Sequence, residues 1–349
     1  MRPGELNAAG LASWMNQHHP QEAGPVSRVR RLAGGTQNRL FAFSHGARPF
    51  VLRLPPARSG PAGDAVILRE ARLLGQLSGT AIPHSRLLAA EPDPAVLGAA
   101  FYVSAYVTGR AVTDPRLARV LSPESRITIT RGLAQTLAAL GEIDPAALGL
   151  QGFGRPAGFL ARQVDRWLNQ LDSYRGYPGY GSHHLPHIEA LSGWLLERVP
   201  PAKRPGIIHG DLHLGNVLFD PVDKGVTALV DWELATIGDP LLDLGELIAT
   251  WPGRDGRSAL GPPATPAGPG GWPPFQTLVA AYQAASTRDL TALNWYVVLA
   301  GFRLAILLEG SRARALAGQG SPEVAAELHQ AAVTLLEDAV RRAGPRREP

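Results

Sequence analysis

The 349-residue sequence contains no cysteine, which excludes disulfide frameworks, thiolate metal sites and cysteine nucleophiles. Lysine is nearly absent as well: Lys203 and Lys224 are the only two among 34 basic side chains. Against 30 acidic residues the net charge is +4, so charge balance does not point to nucleic acid as a partner. The longest apolar run, Trp295 to Leu308, is short for a bilayer span and is interrupted by Arg303. The first residues, Met1-Arg2-Pro3-Gly4-Glu5, lack the charged-then-apolar pattern of a signal peptide. These absences lead to the expectation of a soluble, cytoplasmic protein with neither nucleic-acid nor membrane partners.

What is present is enough apolar residue, 45%, to bury a sizeable core, and enough length for two domains or one large bilobal unit. Gly and Pro make up one residue in five, well above the usual share of about 12%. They are densest over 251–274, where 13 of 24 residues are Gly or Pro, a linker or a loop over a site.

Between Val26 and Leu54 short apolar stretches alternate with turn residues, which predicts three antiparallel strands. An acid-capped helix is expected from Asp64, and Ala100 to Val107 reads as a further strand. After Thr113 the period becomes helical, with Ser122-Pro123-Glu124 opening a helix to Glu142. Amphipathic helices follow over 158–174, 187–199, 239–249, 275–285, 289–316 and 324–342, interrupted by three short strands within 207–230. The fold class expected is α+β, with a small β-rich part at 1–107 and a larger helical part at 108–349.

That β insert carries the chemistry. His209-Gly210-Asp211-Leu212-His213-Leu214-Gly215-Asn216 places a carboxylate and an amide on one loop, and Asp231 follows the next strand. Such a set suits phosphoryl transfer: one carboxylate takes the acceptor hydroxyl's proton, while an amide oxygen and a second carboxylate hold Mg²⁺. H-G-D-x-x-x-x-N followed by D-W-E, and the longer run Asp231-Trp232-Glu233-Leu234-Ala235-Thr236-Ile237-Gly238-Asp239-Pro240-Leu241-Leu242-Asp243-Leu244-Gly245, resembles the aminoglycoside phosphotransferase-like small-molecule kinases. That family shares the bilobal protein-kinase-like fold. The resemblance implies Asp211 as catalytic base, Asn216 and Asp231 as Mg²⁺ ligands, and His209 as a support of the loop. Asp239 is expected to cap a helix and Asp243 to brace the catalytic loop; His213 is assigned to the site edge or to structure rather than to catalysis.

No G-x-x-x-x-G-K-[ST] loop is present. The turn Gly34-Gly35-Thr36-Gln37-Asn38 is the candidate phosphate cover, since glycines let backbone N–H groups approach phosphate oxygens, although a Gly-Gly turn is ordinarily only a turn. Kinase-like folds pair a strand lysine with a helix glutamate; here Arg53 stands in the lysine's place, with Glu70 as its partner, unless the two form only an ordinary surface pair. The arginine leaves a nucleotide-binding pseudokinase open as an alternative. Phe101 to Val107 looks like the family's hinge, where backbone groups of Ala105, Tyr106 and Val107 would meet the adenine of ATP.

Farther along, Leu137 to Asp144, Phe153-Gly154-Arg155-Pro156 with Gln163 and Trp167, and Trp295 to Gln319 resemble a branch whose kinase domains are fused to, or encoded beside, acyl-CoA dehydrogenases. The implied acceptor is a small-molecule hydroxyl such as that of a hydroxyacyl-CoA, with an antibiotic kinase as the alternative. Gly141 departs from the branch, which often has His there. Segment 251–274 holds one acid, Asp255, beside Arg254 and Arg257, which weighs against a polycationic aminoglycoside. Trp251, Trp272 and Arg303 are either cleft lining or buried core. His183, His184 and His187 read as a solvated turn rather than a metal site.

Overall fold

The computed structural model describes residues 6–22, 24–32, 38–57, 59–111, 121–181, 185–220, 225–253 and 271–344. Gly34, Gly35, Thr36, Gln37, His183, His184 and the residues Arg254, Asp255 and Arg257 of the Gly/Pro-rich segment lie outside the described residues. The chain divides into two compact units, one of residues 1–109, 148–150 and 227–233, the other of 110–147, 151–226 and 234–349. The main division falls at 109/110, and two short later segments, 148–150 and 227–233, belong to the first unit.

The first unit opens with helix α1 (Ala8–His18), capped where the Asn7 side chain accepts the Gly10 N–H at 2.9 Å. Leu11, Trp14 and Met15, at i, i+3 and i+4, are its buried face. Strands β1 (Val26–Arg31), β2 (Arg39–His45) and β3 (Arg48–Leu54) follow, then helix α2 (Gly60–Leu77) and strands β4 (Leu87–Glu91) and β5 (Phe101–Ala105). They form one antiparallel sheet in the order β1-β2-β3-β5-β4. Alternation sorts its residues. Phe41, Phe43, Phe50, Leu52, Leu54, Phe101 and Val103 cluster with the apolar face of α1. Arg53, paired in register with Leu40 and Tyr102, belongs to the other face.

Helix α2 begins four residues before Asp64, so the expected acid cap is corrected: the Asp64 carboxylate instead accepts the N–H of buried Ala100 at 3.0 Å. The returning segment is anchored where Leu229 N–H donates to the Pro83 carbonyl at 2.8 Å, beside a parallel bridge from His84 to Leu229.

The second unit contains β6 (Arg110–Ala111), α3 (Pro123–Glu142), α4 (Gln163–Ser173), α5 (Ile188–Glu197), β7 (Gly206–Ile208) and β8 (Val217–Phe219). After β9 (Val226–Leu229), which leads into the segment returned to the first unit, come β10 (Thr236–Gly238), α6 (Leu241–Ala249), α7 (Phe275–Ala285), α8 (Leu293–Leu316) and α9 (Pro322–Ala343). Two Ser-Pro-Glu starts behave as their chemistry dictates: Ser122 Oγ accepts the Ser125 N–H at 3.1 Å, and Ser321 Oγ accepts the Val324 N–H at 3.3 Å.

Helix α8 is the hub, packed by α4, α5, α6 and α9. By length and composition it could cross a membrane, but 78% of its most apolar window is buried, which marks a core helix. Gly245 lets α6 approach it: a Cβ there would lie 2.7 Å from the Tyr296 backbone. Strand β7 pairs antiparallel with β10, and β6 with β8.

Candidate active site

In the second unit β7 delivers the chain to His209, Gly210 and Asp211. Gly210 has φ +83°, and a Cβ at that position would collide with the Leu234 carbonyl, so only glycine fits. Buried Asp243, in the first turn of α6, accepts the His209 N–H at 2.7 Å and the Gly210 N–H at 2.9 Å. Burial pushes its carboxyl up to about 7, against the pull of those two donors. Through these two bonds Asp243 holds the backbone at 209–210.

Asp211 is half-buried, and Asn216, on the turn 214–216, donates its amide hydrogens to the Asp211 carbonyl at 2.8 Å and to Asp211 Oδ2 at 3.0 Å. His213 Nε2 lies 3.9 Å from the same carboxylate oxygen, and its Nδ1 accepts the Gly215 N–H at 3.1 Å. Buried His209 turns its Nδ1 to the Asp211 N–H at 3.4 Å. Asp239 accepts from the Leu241 N–H at 3.1 Å and the Tyr296 hydroxyl at 2.8 Å, joining the start of α6 to α8.

Of the two readings of Arg303, cleft lining or core, the core is the one observed. The side chain is buried, pairs with fully buried Glu246 at 2.6 Å, donates to the Gly210 carbonyl, and lies over the Trp167 ring at 5.4 Å. Burial pushes the Glu246 carboxyl upward, with Arg303 opposing. Trp251 is also buried, its Nε1–H on the Pro273 carbonyl at 2.8 Å. His187 takes the left-handed position before α5.

In the first unit Arg53 and Glu70 are brought together as expected, at 3.0 Å, but as a fully buried pair and not a surface one. Arg53 also donates to Asp231 Oδ1 at 2.5 Å and approaches Glu233 Oε2 at 3.3 Å. Burial alone would lower the Arg53 pKa; Glu70, Tyr102 and Asp231 outweigh it and the net direction is up. Burial pushes Glu70 up to about 7 in spite of Arg53. The other Glu70 oxygen accepts the Trp232 N–H at 3.1 Å. Asp231 has φ +69°, a left-handed conformation that a non-glycine residue holds only when its surroundings impose it.

Asn38, the described end of the candidate phosphate cover, donates to Glu233 Oε2 at 2.5 Å. In the expected hinge, the Ala105 N–H is bonded to the Arg86 carbonyl at 2.9 Å, the Ala105 carbonyl to Ser85 Oγ at 2.5 Å, and the Tyr106 N–H to the Pro49 carbonyl at 3.3 Å.

Four participants had not been assigned to the site: Tyr102, Glu233, Glu246 and, in its real place, Arg303. Glu246 was within reach, since Asp243 and position 246 share a helix face at i, i+3. Arranged this way, the second unit holds a half-buried carboxylate on a doubly pinned loop, and the first holds a guanidinium clamped among carboxylates.

A fold and loop of this kind are those of the kinase-like class. The profile of the phosphotransferase enzyme family, APH, matches residues 28–276, and the chain belongs to that family. It is 32% identical to acyl-CoA dehydrogenase family member 11 of Gallus gallus over 311 residues, 87% of this chain and 39% of that protein. The Mus musculus protein of the same name is 31% identical over 330 residues, 91% of this chain and 41% of its own. The chain therefore spans about two fifths of the length of these relatives.

Among solved structures, a Ralstonia eutropha JMP134 protein provisionally assigned as an aminoglycoside phosphotransferase superposes with a TM-score of 0.79 at 29% identity, covering 97% of this chain and 98% of that one. A thermostable mutant of aminoglycoside phosphotransferase APH(4)-Ia, in complex with ADP and hygromycin B, gives 0.56 at 15% identity over 93% and 98%. That second likeness is one of fold. The expected α+β kinase-like class is the one observed.

Proposed function

We propose that this chain is an ATP- and Mg²⁺-dependent phosphotransferase that moves the γ-phosphoryl group to a hydroxyl of a small molecule, with Asp211 as catalytic base. The observation that carries the reading is the Asp211–Asn216 pair on a loop whose amides are fixed by Asp243. The acceptor oxygen bonds to the γ-phosphorus, the bond from that phosphorus to the bridging oxygen breaks to release ADP, and the hydroxyl proton passes to Asp211.

Asn216 and Asp231 fit the ligand role. The amide nitrogen of Asn216 is engaged by Asp211, which leaves its oxygen as the end for a hard cation, and half-buried Asp231 has one oxygen on Arg53 and a second to offer. Mg²⁺, when bound, would supply charge neutralisation along the phosphates. Arg53, oriented by Glu70, serves as the cation for the α- and β-phosphates. We assign the phosphate cover to Gly34, Gly35, Thr36, Gln37 and Asn38, and the adenine contacts to backbone groups of Ala105, Tyr106 and Val107, of which both Ala105 groups and the Tyr106 N–H have partners in the first unit. His209, Asp239 and Asp243 support the loop.

For the acceptor we favour a hydroxyacyl-CoA-like metabolite. The names of the acyl-CoA dehydrogenase relatives support it, as does the single acid, Asp255, in segment 251–274, which is poor in charge for a polycationic aminoglycoside. A nucleotide-binding pseudokinase is the second reading, favoured by Arg53 standing where the kinase pattern has lysine.

The test is Mg²⁺-dependent ATP consumption across hydroxyacyl-CoAs, aminoglycosides, amino alcohols and sugars, beside Asp211→Ala. A hydroxyacyl-CoA consumed by the native chain and reduced about 10²–10⁴-fold in the variant supports the proposal. ATP binding by thermal shift without consumption of any acceptor favours the pseudokinase.

A further inference from the structure

Gly210 creates a positioning problem. With φ +83° it holds a backbone conformation that only glycine enters readily, and it directly precedes Asp211. Its N–H is held by Asp243, and its carbonyl, which belongs to the peptide unit joining it to Asp211, is held by Arg303. Arg303 comes from the middle of α8, the core helix of its unit. Its guanidinium is fixed on one side by Glu246, at 2.6 Å, and on the other by the Trp167 ring. Asp243 and Glu246 stand one turn apart on α6, so that helix supplies both the acceptor for the Gly210 N–H and the counter-ion of the residue that donates to its carbonyl.

A buried ion pair is weak evidence for a stability role, because an apolar pair of similar volume often serves as well or better. Here the pair has a third partner, a backbone carbonyl one residue from the proposed base. We propose that Arg303 is a positioning residue for phosphoryl transfer: its guanidinium, oriented by Glu246, fixes the peptide that carries Asp211. The inference rests on Asp211 being the base. Its physical content is that a small misplacement of a reacting group costs rate and not affinity.

The double variant Arg303→Met with Glu246→Leu removes both charges together, so no uncompensated ion is left buried, and Arg303→Lys keeps a donor. The full-length chain is assayed for Mg²⁺-dependent ATP turnover, with water as acceptor if no other is known. ATP affinity is read by thermal shift and the 207–217 backbone by hydrogen exchange. The expected result is a folded double variant with ATP affinity within about twofold of the native chain, kcat down by about 10² and faster exchange confined to 207–217. Arg303→Lys should recover part of kcat.

A double variant with native kcat and native exchange would overturn the proposal and leave Arg303 a core ion pair. If the native chain turns over no more ATP than Asp211→Ala, the phosphotransferase reading fails and exchange alone decides positioning. Faster exchange limited to 207–217 then supports it; exchange raised equally along α6 and α8 overturns it.

Discussion

One guanidinium joins two distant pieces of the first unit: Arg53 faces Glu70 of α2 through Nε at 3.0 Å and Asp231 through Nη2 at 2.5 Å. Truncating it leaves Glu70 buried without its cation. Arg53→Ala should therefore lower unfolding stability by about 3–5 kcal/mol, read from the urea midpoint. Arg53→Lys, with a point charge in place of a fork, should lose less stability while weakening ATP binding in the same preparation. Equal losses for Lys and Ala would show that charge alone is not what the site uses.

The buried carboxyls set a pH dependence whose sign is fixed. Glu70 and Asp243 are held up to about 7 in the native chain, whereas in an unfolded chain they titrate at about 4.3 and 3.9. Between those limits the native state keeps protons that the unfolded state has released, so their contribution is full below about pH 4 and declines as pH rises to about 7. Urea midpoints between pH 4.5 and 7.5 should fall and then level from this source, and Glu70→Gln should make the decline shallower.

Gly245→Ala tests the approach of α6 to α8. The added methyl meets the Tyr296 backbone, which cannot step aside as a flexible side chain would. A loss of about 1–3 kcal/mol is expected from overpacking, although alanine is the better helix former. Thermal unfolding measures it, and a gain in stability would contradict the packing described.

Asp64→Ala tests the bond that ties the Ala100 amide to α2. If Asp64 were a mere cap, its loss would act on the helix start. Because it accepts the N–H of buried Ala100, the variant should leave that donor unsatisfied and lose about 1–3 kcal/mol, with faster exchange of the Ala100 amide.

Much of this was legible along the chain. The hairpin of β2 and β3 followed from His45-Gly46-Ala47-Arg48, the Ser-Pro-Glu helix starts from capping chemistry, and the loop from the spacing of Asp211, Asn216 and Asp231. Other elements left weaker marks. Strand β4 is half-buried throughout, so Leu87-Leu88-Ala89-Ala90-Glu91 shows no alternation, and β10 is three residues long. Helix α1 was missed although Asn7 and the Leu11, Trp14, Met15 spacing signal it. Arg303 could not be placed, because its partner Glu246 is 57 residues away and nothing local distinguishes a core arginine from one lining a cleft.

The return of residues 227–233 to the first unit bears on how the chain is made. When residue 109 leaves the ribosome, Glu70 still lacks the Trp232 amide, Arg53 lacks Asp231 and Glu233, and the Pro83 carbonyl lacks Leu229. Vectorial folding, in which an N-terminal unit settles before the rest is synthesised, is thus denied to this one. Its polar interior must wait for residues 227–233 to be translated, and a fragment ending near residue 110 should be insoluble.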